Sequence, residues 1–377
     1  MARRHRSGMT PWRCLSVLIV ATMSAHAATA QLARRQARVD IMTPKPPQAA
    51  TVDGHRVLVY ELHVTNLGRG PLGFREIDVF ADGDQVAAFR DSALTQMLGP
   101  GTVLNPFSLT VAYVWIELDP PKVVPARLRH RLVFDMLDTA DQRRDGGTQS
   151  AIDSIVVPVT HVAPLVVRAP LDSGQWLAGS SPSNTSDHRR SLNAIDGHGY
   201  ISQRFAIDWV RIGPNGNTYH DDEHKNENFW GFGQPVRSVA AGEVVAILDS
   251  IPDNTPHAPL PGFVPRTLAG NFVTVRIGPH QYATYAHLER GTVRVHVHQH
   301  VARGEVVGLL GNSGQATGPH LHFQITDGPS ILASEGIPYV LGRYTFLGYG
   351  KDFEPDKHPS IPRRAELPGD DAVVGLP

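Results

Sequence analysis

Apolar and polar positions alternate with a period of two along most of this chain. The run Arg56-Val57-Leu58-Val59-Tyr60-Glu61-Leu62-His63-Val64 is one example; Phe74 to Phe80, Ser108 to Ile116 and Leu132-Val133-Phe134 are others. Turn-forming clusters separate these runs at Asp53-Gly54, Asn66-Leu67-Gly68, Asp82-Gly83-Asp84 and Gly99-Pro100-Gly101. Period two is the spacing of a strand with one face buried, and short strands broken by regular turns predict a β-sandwich over residues 31–165. Pro164 to Leu171 reads as a linker or the first strand of a second domain, followed by a polar surface loop from Gly179 to Arg190. Strands resume at Phe205–Val210, Val236–Ile247, Asn271–Ile277, Tyr282–Leu288 and Val293–Val297. No long amphipathic helix is legible, so the chain is expected to be mainly β. Beyond residue 350 the sequence is rich in Pro, Asp and Arg, which predicts a loosely ordered tail over 351–377.

The same alternation sorts the candidate chemistry. In Pro319-His320-Leu321-His322-Phe323, just after the turn Gly311-Asn312-Ser313-Gly314, a strand places His320 and His322 on one face and packs Leu321 and Phe323 behind. Two imidazoles on one face suit a metal ligand beside an acid/base group, although a bare His-x-His also fits a solvent-facing edge strand. Asp208 lies opposite the apolar face Phe205, Ile207 and Trp209; a salt bridge to Arg204 or a bound metal would each account for it. Tyr285 and His287 are expected on one face of their strand. His63 and His130 lie on sandwich strands and read as structural or exposed. His220 and His224, beside Asp221, Asp222 and Glu223, read as a solvated rim, and His296, His298 and His300 as surface.

The N-terminus changes where the protein is expected to work. Arg3, Arg4, Arg6 and Arg13 precede a short apolar run from Cys14 to Met23, then the small-x-small sites Ala25-His26-Ala27 and Ala28-Thr29-Ala30. That is the order of a secretory signal peptide over residues 1–30, and the apolar run falls short of the ~20 residues that span a bilayer. Cleavage would remove the single cysteine, so neither disulfides nor thiolate chemistry is expected. It would also remove four arginines and no acidic residue, taking the formal charge from −1 to about −5. No basic footprint for nucleic acid remains, and no later segment is apolar enough to span a membrane. The expected location is periplasmic or secreted.

Taken together, Asp208, Gly233-x-Pro235-Val236 with Ala241-Gly242-Glu243-Val244, Tyr285-Ala286-His287-Leu288, Gly304-Glu305 with Gly311-Asn312-Ser313-Gly314, and Thr317-Gly318-Pro319-His320-Leu321-His322-Phe323 resemble the lysostaphin/LytM-type zinc metallopeptidases of family M23. The resemblance covers about residues 175 to 345 and implies an antiparallel β-sheet metallopeptidase domain over 166–350. The N-terminal half resembles the β-sandwich accessory domains of some secreted members. The resemblance implies a zinc site with Asp208 and His322 as ligands, and His287 and His320 as the catalytic, non-ligand histidines. Members commonly place the remaining ligand histidine four residues before the aspartate. Here that position is Arg204, whose guanidinium has no lone pair to give. His188, in the Ser186–Arg189 loop, is the first candidate to complete the set. His198 is nearer along the chain, and an incomplete site is the third possibility.

The function this implies is a secreted zinc endopeptidase. It would hydrolyse peptide bonds, with peptidoglycan peptides as substrate, through a zinc-bound water assisted by two histidines. The competing expectation is a non-catalytic module of the same type that binds or activates a cell-wall hydrolase partner. A third is general secreted proteolysis.

Overall fold

The computed structural model describes residues 37–377 apart from 100, 119, 121, 122, 146, 147, 261 and 263. The segment read as a signal peptide lies outside the described residues. The N-terminal strands form two facing sheets. In one, His55–Asn66 pairs with Val39–Met42 and Ala49–Val52 along one edge and with Leu109–Glu117 along the other. In the other, Leu72–Ala81 and Arg127–Met136 sit centrally, flanked by Asp84–Phe89 and Gln149–Pro158. Leu58, Tyr60, Leu62 and Val64 meet Ile77, Val79, Leu128, Leu132 and Phe134 in the core between the sheets. The expected sandwich and mainly-β class are therefore present. Two short helices, Asp91–Leu98 and Thr139–Asp145, interrupt it.

The strand His55–Asn66 is buried on both faces. Its even-numbered side chains enter the sandwich, whereas Val57 and Val59 join the core of the C-terminal half with Trp176, Phe205, Ile207 and Trp209. Burying a valine completely is worth about 1.5 kcal/mol or more, so the two halves are docked through apolar surface.

The C-terminal half is built on a ten-stranded antiparallel sheet. Its centre runs Asn271–Gly278, Gln281–Leu288, Leu321–Thr326, Ile207–Ile212, Gly174–Gly179 and Ala372–Leu376. The last of these departs from the expected loose tail. Ala372–Leu376 sits between Gly174–Gly179 and Tyr344–Tyr349, and Ile361–Arg363 caps that end of the sheet. Leu367 bridges to Val52 of the sandwich. The apolar side chains Leu367, Val373 and Val374 are fully buried, which outweighs the Pro- and Asp-rich composition around them. Residues 293–297 also differ from expectation, forming a turn and irregular chain in place of a strand.

Candidate metal centre

Three neighbouring strands assemble the site. Asp208 stands directly across from His322, and His322 across from Ala286, so these positions form one row over the sheet. Phe205, Ile207, Trp209, Leu321 and Phe323 are buried on the opposite face, as alternation requires. Asp208 and His322 thereby share a face that opens to the loop above. The loop after Gly174–Gly179 brings His188 over this row: His188 Nε2 lies 3.3 Å from Asp208 Oδ2, and His322 Nδ1 lies 2.9 Å from Asp208 Oδ1. One potential ligand atom from each of His188, Asp208 and His322 falls within 4.8 Å of the others. His198 is exposed on the hairpin Asn193–Tyr200 and is outside this cluster.

The remaining ring nitrogens are already committed. His188 Nδ1 lies 2.9 Å from the Ser180 carbonyl, and His322 Nε2 lies 2.9 Å from the Gln324 side-chain oxygen, whose amide nitrogen donates to the Ile331 carbonyl. Each acceptor can take an N–H, so the opposite nitrogen, which lies beside Asp208, is the one that can lose its proton and offer a lone pair. Such outer partners orient ligating imidazoles. Two imidazole lone pairs and one carboxylate converging on a point fit a zinc ion with one coordination position left open. Gln324 was not singled out from the sequence, yet the signal was there: it lies two residues after His322, on the same strand face.

His287 and His320 complete the surroundings. Their rings lie 4.7 Å apart, and that of His287 lies 5.9 Å from His322. His320 Nε2 is 3.6 Å from Asp208 Oδ1, while its Nδ1 donates to the Gly318 carbonyl at 2.9 Å. His287 reaches the site differently from expectation. Tyr285 and His287 do not share a face: Tyr285 packs in the apolar core beside Phe323, as does Leu288. The pairing slips between Asn271 and Val273, and His287 sits at φ +61°. This bulge inserts an extra residue and swings the histidine out of the core onto the site. A left-handed histidine is uncommon and needs support from its surroundings. The support comes from a bond between His287 Nδ1 and the Ser313 carbonyl at 2.7 Å, which leaves Nε2 for the site. The turn carrying Ser313 packs backbone to backbone on Gly270. A Cβ on Gly314 would lie 2.3 Å from Gly270 N, and Gly314 itself has φ +79°, so glycine is required there.

The electrostatics follow from this packing. Burial alone would raise the Asp208 carboxyl, but His188 and His320 beside it hold it well below the usual carboxylate range. Burial would lower His188, and the Asp208 charge reverses this, leaving it raised. His287 is held well below its ordinary value, first by burial and then by His320 and His322. It is a neutral base with a free lone pair.

Arg204 does not point at the metal cluster. It is buried against Glu61 of the sandwich, with Nη2 at 2.6 Å and Nε at 2.9 Å from Glu61 Oε2, and it also meets Glu335 and donates to the Gly336 carbonyl. Asp208 is therefore partnered by histidines alone and not by the arginine four residues before it. His220 and His224 are exposed, His220 bonding Asp221 at 2.6 Å. His296 and His298 lie in irregular chain and His300 in a two-residue strand, all exposed. His63 and His130 are both buried.

Residues 229–332 match the model of peptidase family M23. Among curated proteins, a peptidoglycan DD-endopeptidase of Vibrio cholerae, ShyA, is 42% identical over 57 residues, 15% of this chain and 13% of that protein. A metalloprotease of Haemophilus influenzae without assigned function is 41% identical over 56 residues, covering 15% and 11%. The chain thus spans only about an eighth of the relatives it matches. Among solved structures, a zinc-containing peptidase from Vibrio cholerae overlaps 80% of this chain and 83% of its own at 15% identity, TM-score 0.25. The catalytic domain of lysostaphin from Staphylococcus simulans overlaps 44% and 88% at 18% identity, TM-score 0.24. The matched stretch 229–332 holds His287, His320 and His322, and the chain therefore carries a domain of peptidase family M23.

Proposed function

We propose that this protein is a zinc-dependent endopeptidase that hydrolyses peptide bonds in bacterial peptidoglycan, working outside the cytoplasm. The observation that carries the reading is the convergence of His188, Asp208 and His322, with one ring nitrogen of each histidine turned inward and the opposite one tied down, beside two further histidines. The peptidoglycan endopeptidase among its relatives supports the substrate class.

His188 Nε2, His322 Nδ1 and Asp208 would hold the ion. A zinc bound there would lower the pKa of a coordinated water toward ~7 and polarise the scissile carbonyl. His287, neutral and with Nε2 free, is placed to accept a proton at that atom. His320, tied through Nδ1, presents Nε2 to the same space and, once it carries a proton there as imidazolium, can donate a hydrogen bond to the oxyanion that develops on the carbonyl. The backbone carbonyls of Ser313 and Gly318 keep both rings in these tautomers as the proton moves.

The test is release of new amino termini from purified peptidoglycan, with casein as comparison. Chelation should abolish release and added zinc restore it. Correctly folded, zinc-loaded protein that releases nothing from peptidoglycan would overturn the proposal in favour of a binding module. Cleavage of casein alone would move it to general proteolysis.

A further inference from the structure

We propose that Glu61 of the sandwich is a positioning residue for the metal cluster in the other half of the molecule, clamping the two chain segments that bear His188 and Asp208. The proposal rests on reading His188, Asp208 and His322 as a zinc site.

Glu61 lies on the outward face of the strand His55–Asn66, in line with Val57 and Val59, and its side chain is fully buried. It accepts hydrogen bonds from two guanidiniums, those of Arg189 and Arg204, both also buried. Arg189 directly follows His188, and Arg204 precedes Asp208 by four residues. One carboxylate of the sandwich thus ties both ligand-bearing segments. Arg189 is bound to the sandwich through more than its charge: Nη2 donates to the Tyr60 and Val114 carbonyls at 3.1 and 3.0 Å. Its Nε donates to Asn184 Oδ1 at 3.2 Å, inside the loop itself. Its neighbour Arg190 stacks on Tyr113, whose hydroxyl donates to the Arg190 carbonyl at 3.3 Å.

The loop needs such an anchor. Between Gly179 and Asn193 no residue belongs to a strand, and His188 is tied within the loop by the Ser180 carbonyl. The start of the loop is held by Ser181, bonded to the Pro368 carbonyl and Asp370. The end that carries His188 is held by the sandwich. A planar guanidinium that fills several acceptors at once fixes position and orientation together. Without the Glu61 carboxylate, Arg189 would lose its acidic partner and Arg204 would keep only Glu335. An unpaired buried cation is strongly unfavourable, and the available relief is for Arg189 to swing toward water, taking His188 with it. The arginine found where relatives carry a ligand histidine then has a positive role: it is the second anchor of the clamp.

The experiment uses the full chain. Zinc affinity is measured by competition with a chromophoric chelator for wild type, Glu61→Gln and Asp78→Asn. Asp78 is a comparable buried sandwich carboxylate, paired with Arg90 and Arg131 away from the junction, and controls for general destabilisation. Glu61→Gln should weaken zinc binding about 10- to 100-fold, the scale for residues that orient a ligand, and saturating zinc should recover peptide release. Asp78→Asn should leave zinc affinity unchanged. Folded Glu61→Gln protein with wild-type zinc affinity, or an equal loss in Asp78→Asn, overturns the clamp. If Glu61→Gln does not fold, Arg189→Lys takes its place: it keeps the charge but cannot reach Tyr60 and Val114 together. Unchanged affinity there overturns the proposal equally. Hydrogen exchange on metal-free protein separates this idea from the zinc reading. Loss of protection at 183–190 in Glu61→Gln with 321–326 unchanged supports the clamp even if wild type binds no zinc, and equal protection sinks it.

Discussion

His130 in the sandwich and His287 in the peptidase domain are both buried on strands, and burial depresses both pKa values, that of His130 to about 4. Their surroundings differ. His130 has one nitrogen 2.6 Å from the Tyr60 hydroxyl and the other 3.4 Å from the Ile155 carbonyl, so both are occupied. His287 gives one nitrogen to Ser313 and keeps the other for the site. The aspartates follow the same division. Asp78 is saturated by Arg90, Arg131 and Gln85, partners that never give up their protons. Asp208 is partnered by imidazoles, which can lose theirs and offer lone pairs to a metal. Burial with complete satisfaction produces structure; burial with convergent lone pairs produces chemistry.

The largest effect that could break this comparison is on metal content. His188→Ala or His322→Ala should empty the zinc site and remove peptide release, whereas His130→Ala, at a fully buried histidine, should keep one zinc per chain. Atomic emission on the purified proteins decides it, and a His188→Ala protein with full zinc would sink the assignment. Next, His287→Ala and His320→Ala should retain zinc while lowering hydrolysis by roughly a hundredfold or more, the scale for losing a proton-transfer or oxyanion group. Loss of zinc in either would turn that residue into a ligand.

A smaller effect sharpens the sandwich side. His130 titrates near 6.5 when unfolded and near 4 when folded. Between those values the unfolded chain binds the proton more readily. The stability from neutral His130 is therefore complete above about pH 6.5 and lost as pH falls toward 4, amounting to about 3 kcal/mol. Chemical denaturation at several pH values should show this slope, and His130→Gln should flatten it. An unchanged slope would mean that other groups carry the acid sensitivity.

Alternation along the chain was enough to read most strands, to put His320 and His322 together, and to set Asp208 opposite the apolar face of its strand. These are local properties, because side-chain direction in a strand repeats every two residues whatever lies across from it. The resemblance of the spaced motifs supplied the family. The resemblance ranked His188 first, and tertiary structure set it beside Asp208. His188 comes from a loop with no period, and the fold of that loop over the sheet selects it from His198. It also decided that His287 faces the site, since a bulge with a left-handed residue breaks the alternation that predicts its side. The tail became sheet because its few apolar residues found a core, and Val57 and Val59 found theirs in the other domain. Arg204 and Glu61 lie 143 residues apart. Sequence pattern carries the preference of each segment for a conformation and a buried face. Which distant group satisfies a buried charge depends on long-range packing, and that packing turned an arginine in a ligand's place into an anchor.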